Sequence, residues 1–184
     1  LTSTRMGSTS ITFLGKTQTK PIEVTLRIVL PVLNVSLPTT LEKELKMIEP
    51  KHLVFVYGTL KKGYGNHSLI GDGEFWGEAI TEDSSFALTS VSPYGGFPLV
   101  REGDKKVKGE VYLVSNKVLK RLDQLEGVPT MYLRKTTKVL IYQPSFENPI
   151  QVNYYHWNGM NEGYPSCISE KGGVLSWNSH KDGR

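Results

Sequence analysis

His52-Leu53-Val54-Phe55-Val56-Tyr57-Gly58-Thr59-Leu60-Lys61-Lys62-Gly63 is the stretch whose reading decides the fold. An apolar, β-branched run stops at Gly58 and turns polar. Such a run reads as a buried strand that delivers a loop at its C-terminal end. Glycine in that loop lets peptide N–H groups approach a ligand with no Cβ in the way, which suits small anions. Taken alone, the same residues fit an ordinary tight turn after a core strand, and that bland reading is the commoner one.

A second segment shifts the balance. In Ser115-Asn116-Lys117-Val118-Leu119-Lys120-Arg121-Leu122-Asp123-Gln124-Leu125-Glu126-Gly127, the residues Val118, Leu119, Leu122 and Leu125 recur at helical spacing. Ser115 suits an N-cap, and Gly127 suits the position just past the helix end. Glu126 then falls at the helix C-terminus, where the macrodipole disfavours a carboxylate and raises its proton affinity. A group that must take and then return a proton gains from such a shift. A solvated Glu at a helix end is the plain alternative.

These segments, with others in order, resemble the γ-glutamylcyclotransferase-like family, and within it the AIG2-like, γ-glutamylamine cyclotransferase branch. The matching pieces begin with Val54-Phe55-Val56-Tyr57-Gly58-Thr59-Leu60-Lys61 and Asn66-His67. Gly96-Phe97-Pro98-Leu99-Val100 and Val107-Lys108-Gly109-Glu110-Val111-Tyr112 follow. Leu122-Asp123-Gln124-Leu125-Glu126 and Tyr132-Leu133-Arg134 complete the set. Order and spacing, not any single piece, make the match specific over about Lys51 to Trp157.

The resemblance implies an α+β fold: a small, curved, barrel-like mixed sheet with short flanking helices. It implies an enzyme that cyclises a γ-glutamyl group to 5-oxoproline and releases an amine. Glu126 is then the proton shuttle, Tyr57, Gly58, Thr59 and Leu60 hold the γ-glutamyl head, and Tyr132 lines the site. The nucleophile is the substrate's own α-amine, so no Ser or Cys nucleophile is required. Ring closure is intramolecular, and restraint, proton transfer and oxyanion stabilisation are what the protein must supply. An unperturbed Glu near 4.3 and an α-amine near 7.7–8.0 are mismatched by roughly 3.5 pH units, about 5 kcal/mol. Desolvation of Glu126 is expected to close part of that gap.

Other side chains carry less. His67 reads as a surface or helix-start residue, and Asn66 as the cap of a short helix near 67–72. The four His are scattered without metal-ligand spacing. Cys167 is the single cysteine and reads as a packed or incidental thiol. Arg134 divides evenly between a carboxylate-binding fork and a strand-edge charge. Tyr154-Tyr155-His156-Trp157 reads as a strand with aromatics on both faces, whose end could wall a ligand site. Tyr94-Gly95-Gly96-Phe97-Pro98 reads as a turn cluster that the resemblance places at the rim.

With 184 residues, 38% hydrophobic, the chain can bury a core of one domain plus an appendage. The net charge of +4 is dispersed, which marks a solvated surface rather than a nucleic-acid face. No zinc-finger spacing, Walker loop or dinucleotide fingerprint occurs. The expected partner is a small γ-glutamyl molecule, with no cofactor, metal, nucleic acid or membrane. Strands are expected near 53–57, 75–80, 85–89, 107–114, 134–142 and 150–157.

Residues 1–50 form an expected extension and 51–184 the domain. Residues 1–20 are Ser/Thr-rich with Arg5, Lys16 and Lys20 and no acid, as in a transit peptide or a disordered leader, although a cytoplasmic protein is the main expectation. Residues 22–30 alternate like a strand, and 41–48 suit a short helix. A flexible leader, an added strand pair, or sequence foreign to the native protein all fit this region, and a poorly packed extension outside catalysis is favoured. A catalytically silent binding module of the same fold is the alternative to an enzyme. Glutathione and γ-glutamyl amino acids are the alternative substrates.

Overall fold

The computed structural model describes residues 50–142 and 148–178. The expectations for residues 1–50 lie outside them, save for Pro50. The architecture is that of the unit His52–Arg184.

Among the described residues there are nine strands and one α-helix. The strands are β1 (Lys51–Val56), β2 (Glu74–Thr81), β3 (Phe86–Ser92), β4 (Gly95–Glu102), β5 (Lys106–Ser115), β6 (Tyr132–Ile141), β7 (Ile150–Trp157), β8 (Ile168–Lys171) and β9 (Val174–Trp177). Helix α1 spans Asn116–Leu125, between β5 and β6. A single 3-10 turn covers His67–Ile70. Seven strands form one sheet in the order β1-β7-β6-β2-β5-β9-β8, and a further β1–β5 pairing closes five of them into a barrel. The sheet is mixed: β1–β7 and β5–β9 are parallel, and the other ordered pairs are antiparallel. The expected barrel-like mixed sheet is thus the observed one.

The continuous apolar run of β1 has a simple cause. Leu53, Phe55 and Tyr57 join residues of all the barrel strands, among them Ala79, Val111, Val139 and Val152, in one buried cluster that fills the barrel. Val54 and Val56 join a second cluster with Leu119, Leu122, Tyr132 and Tyr155. Both faces of the strand are buried, so no alternation survives in its sequence.

Helix α1 forms where its caps predict. Ser115 Oγ accepts a hydrogen bond from Val118 N at 3.3 Å. Val118, Leu119 and Leu122 supply its buried stripe. At the other end, Val128 N–H donates to Asp123 O and Gly127 N–H to Gln124 O. That pair of bonds is a Schellman termination, with Gly127 in the left-handed region at φ 60°. Glu126 is thereby fixed as the C-cap residue.

Two features depart from expectation. Gly95 to Pro98 is not only a turn cluster: it opens strand β4, which pairs with β3 in a separate two-stranded sheet. Pro98 is tolerated there because a two-stranded sheet consists of edges, where a missing N–H costs little. The hairpin β8–β9 lies beyond the last expected strand. Its strands have four residues each, too few to show a period.

Candidate active site

The C-terminal end of β1 places Tyr57, and the loop that follows places Gly58, Thr59 and Leu60. This loop is closed by Lys61 N–H donating to Gly58 O and Asn66 N–H donating to Thr59 O. Asn66 does not cap with its side chain; its Nδ2 donates to Thr59 Oγ1 at 3.1 Å and braces the loop instead. His67 sits at the start of the 3-10 turn, as expected, with Nδ1 at 3.0 Å from Leu60 O. Among the described residues, the main-chain N–H groups of Gly58, Thr59 and Leu60 make no hydrogen bond. They form a row of unspent donors.

One cavity gathers Tyr57, Gly58, Thr59, Leu60, Glu126 and Tyr132. It holds about 320 Å³ of unfilled space, counting its open mouth. The same cavity is lined by Phe97 and Pro98 of β4 and by Tyr155 of β7. All the residues expected to form the site therefore share one hollow, although they come from β1, the helix terminus and β6. Of the expected rim segment, Phe97 and Pro98 reach this cavity, whereas Tyr94 is exposed. A second, wider groove is lined by Glu82, Asp83, Glu102, Lys135, Lys138 and His156 among others, and holds none of the expected site residues.

Glu126 is the only charged residue lining the cavity among the described residues. No hydrogen bond among the described residues reaches its carboxyl group. Burial pushes its pKa up from 4.5 to about 7. The carboxyl group is thus poised to exchange a proton near neutrality.

The phenols around it are spent differently. Tyr57 Oη donates to the Tyr155 carbonyl, Tyr132 Oη to the Pro98 carbonyl at 2.7 Å, and Tyr155 Oη to Asp123 Oδ1 at 2.9 Å. Burial holds all three hydroxyls well above the ordinary phenol range, and the charge of Glu126 raises each further. They stay protonated, and each proton is committed to a protein acceptor. Toward a ligand these oxygens can only accept.

Pro98 is the residue on which the cavity closes. A Cβ built on Gly58 would lie 2.0 Å from Pro98 Cγ, so only glycine lets the loop and β4 meet. Phe97 faces the Trp157 ring at 6.5 Å between centroids, and Trp157 meets Tyr132 edge-on at 5.2 Å.

Arg134 belongs to the fold. Its Nη1 pairs with Asp123 Oδ2 at 2.7 Å, and it does not line the cavity. Cys167 is half-buried and packed against the barrel core. Among the described residues, no group of three or more His, Cys, Asp or Glu side chains could hold a metal ion. No helix among them is long and apolar enough to cross a membrane.

The family described as "Gamma-glutamyl cyclotransferase, AIG2-like" matches residues 54–175. The chain belongs to this family. It is 43% identical over 86 residues to a Vibrio cholerae protein provisionally named a γ-glutamylcyclotransferase, covering 47% of this chain and 71% of that one. It is 34% identical over 113 residues to the γ-glutamylaminecyclotransferase of Homo sapiens, covering 53% and 69%. Among solved structures, an AIG2-like protein from Mus musculus superposes with a TM-score of 0.55 at 29% identity, covering 61% of this chain and 80% of that one. Family and relatives indicate a γ-glutamylcyclotransferase-type enzyme. The family match carries the resemblance past Trp157, where the sequence motifs stop, to Leu175 within β9.

Proposed function

We propose that the protein cyclises a γ-glutamyl amine, releasing 5-oxoproline and the free amine, with Glu126 as base and then acid. The observation that carries this reading is the unpartnered, burial-shifted carboxyl of Glu126 sharing one hollow with the unspent N–H groups of Gly58, Thr59 and Leu60. Glu126 takes a proton from the substrate's α-ammonium. The freed amine attacks the γ-carbonyl carbon, and a carbon–nitrogen bond closes the five-membered ring. The main-chain donors hold the α-carboxylate and the developing oxyanion. Collapse breaks the bond to the leaving nitrogen, which takes the first proton from Glu126; the ring nitrogen then gives up its second proton through the same carboxylate, and the amine departs as an ammonium. Atoms balance without water or a cofactor. Tyr57 and Tyr132 orient the head through their ring faces and lone pairs.

Among the described residues, no Lys, Arg or His lines the cavity. A carboxylate on the leaving group, as in glutathione or a γ-glutamyl amino acid, finds no cation there. That composition favours a leaving amine without an acid group. Incubation with a panel of γ-glutamyl amines, glutathione and γ-glutamyl amino acids tests the reading, with 5-oxoproline measured by mass spectrometry. Release from the amines above all is the expected result. No 5-oxoproline from any of them would leave the protein a binding module.

A further inference from the structure

We infer that Asp123, braced by Arg134, is a positioning residue that acts through Tyr155 to hold Glu126 and the Tyr57–Leu60 loop at a fixed separation. The inference rests on the cyclotransferase reading only for its kinetic consequence; its geometry stands apart from it. Tyr155 is tied to both halves of the site. Its carbonyl accepts from Tyr57 Oη, at the head of the donor loop, and its hydroxyl donates to Asp123 Oδ1 at 2.9 Å, on the helix that carries Glu126. Arg134 and Tyr155 are direct cross-strand partners in the β6–β7 register. Their side chains therefore share one sheet face, and Asp123 receives both, Arg134 on one oxygen and Tyr155 on the other.

Asp123 is only 24% exposed, so its charge needs this pairing. Its own carbonyl accepts from Val128 N–H, so the same residue also anchors the turn that terminates the helix. Glu126 lies three residues on, within that turn. Rotation or sliding of the helix end would carry the Glu126 carboxyl away from the loop, and the strut from Tyr57 through Tyr155 to Asp123 opposes both. Misplacement of a reacting group by about 1 Å can cost on the order of 100-fold in rate.

The test compares wild type with Asp123→Ala, Tyr155→Phe, the double variant, and Ser115→Ala as a control that weakens the same helix at its far end. With a γ-glutamyl amine at 25 °C, Asp123→Ala and Tyr155→Phe are each expected to lower kcat roughly 10- to 100-fold, with KM changed less than about threefold. The double variant should be no slower than the slower single variant, because both remove one strut. Ser115→Ala should keep kcat. Losses that multiply in the double variant, or that Ser115→Ala reproduces, would overturn the inference. Amide hydrogen exchange reads the strut without turnover. Asp123→Ala and Tyr155→Phe should both speed exchange at Glu126–Val128 and at Lys61 and Asn66, whose N–H groups close the donor loop, and unchanged exchange there would also overturn it. Wild-type protein that releases no 5-oxoproline while exchange responds as stated defeats the activity assignment and leaves the strut in place.

Discussion

Asp123 and Glu126 stand three residues apart at the end of one helix, and the fold treats their carboxyl groups in opposite ways. Asp123 is fully engaged, by Arg134 on one oxygen and Tyr155 on the other. Glu126 has no hydrogen-bond partner among the described residues, and burial raises its pKa to about 7. The paired acid is structural, and the unpaired one is available for chemistry.

The activity prediction follows from that contrast. Glu126→Gln keeps the size of the side chain and removes its basicity. Production of 5-oxoproline should fall about 100- to 10,000-fold. A variant with activity near that of wild type would remove Glu126 from the mechanism.

The free enzyme must carry Glu126 ionised to act as a base. Its kcat/KM should therefore climb with pH and level off above about 7, where the carboxyl is deprotonated. A pH–rate profile in constant ionic strength locates the limb; a midpoint near 4.5 would mean that the carboxyl is solvated.

Stability should run the other way. Folding raises the proton affinity of Glu126 from 4.5 to about 7, so the native state binds the extra proton across that window. Stability is then lost as pH rises through it, by on the order of 3 kcal/mol once the group is ionised. Glu126→Gln should melt above wild type at pH 8, with the difference disappearing near pH 4. Thermal denaturation followed by circular dichroism at both pH values checks the sign.

Gly58→Ala forces a methyl group against Pro98, 2.0 Å away in the present geometry. Overpacking of this kind costs about 1–3 kcal/mol, and the donor loop has to shift. Urea denaturation should show the loss, and turnover should drop with it.

Tyr132→Phe removes the donor to the Pro98 carbonyl. A buried carbonyl left without its partner costs about 1–3 kcal/mol. The site face of β4 loses its tether, so KM should rise more than kcat falls. Steady-state kinetics beside a melting curve would show both effects.

Much of this was legible from residue order. The caps of α1 are local chemistry: Ser115 accepts from Val118, and Gly127 takes the positive φ that ends the helix, so Glu126 had to be the C-cap. The buried strand before Gly58 was legible for the same reason, as an unbroken apolar run. The role of Pro98 was not. It depends on contacts with Gly58 and Tyr132, both more than thirty residues away, and a Gly-Gly-Phe-Pro string looks like a turn when read locally. Arg134 stayed evenly divided until its partner was known, because nothing near it in sequence announces Asp123. Tyr155 was legible only as a wall, since its hydroxyl and carbonyl serve partners on two other elements.

Three phenol oxygens whose protons are committed and the Glu126 carboxyl bring acceptors to the hollow, and the Gly58–Leu60 loop brings amide donors. Acceptors and donors together give it a polar field. On the proposed chemistry, a zwitterionic glutamyl head can lie across that field in a single sense. A regioisomer linked through its α-carbon carboxyl offers its charges at a different spacing, and on the same proposed chemistry it is expected to be refused before any bond is made.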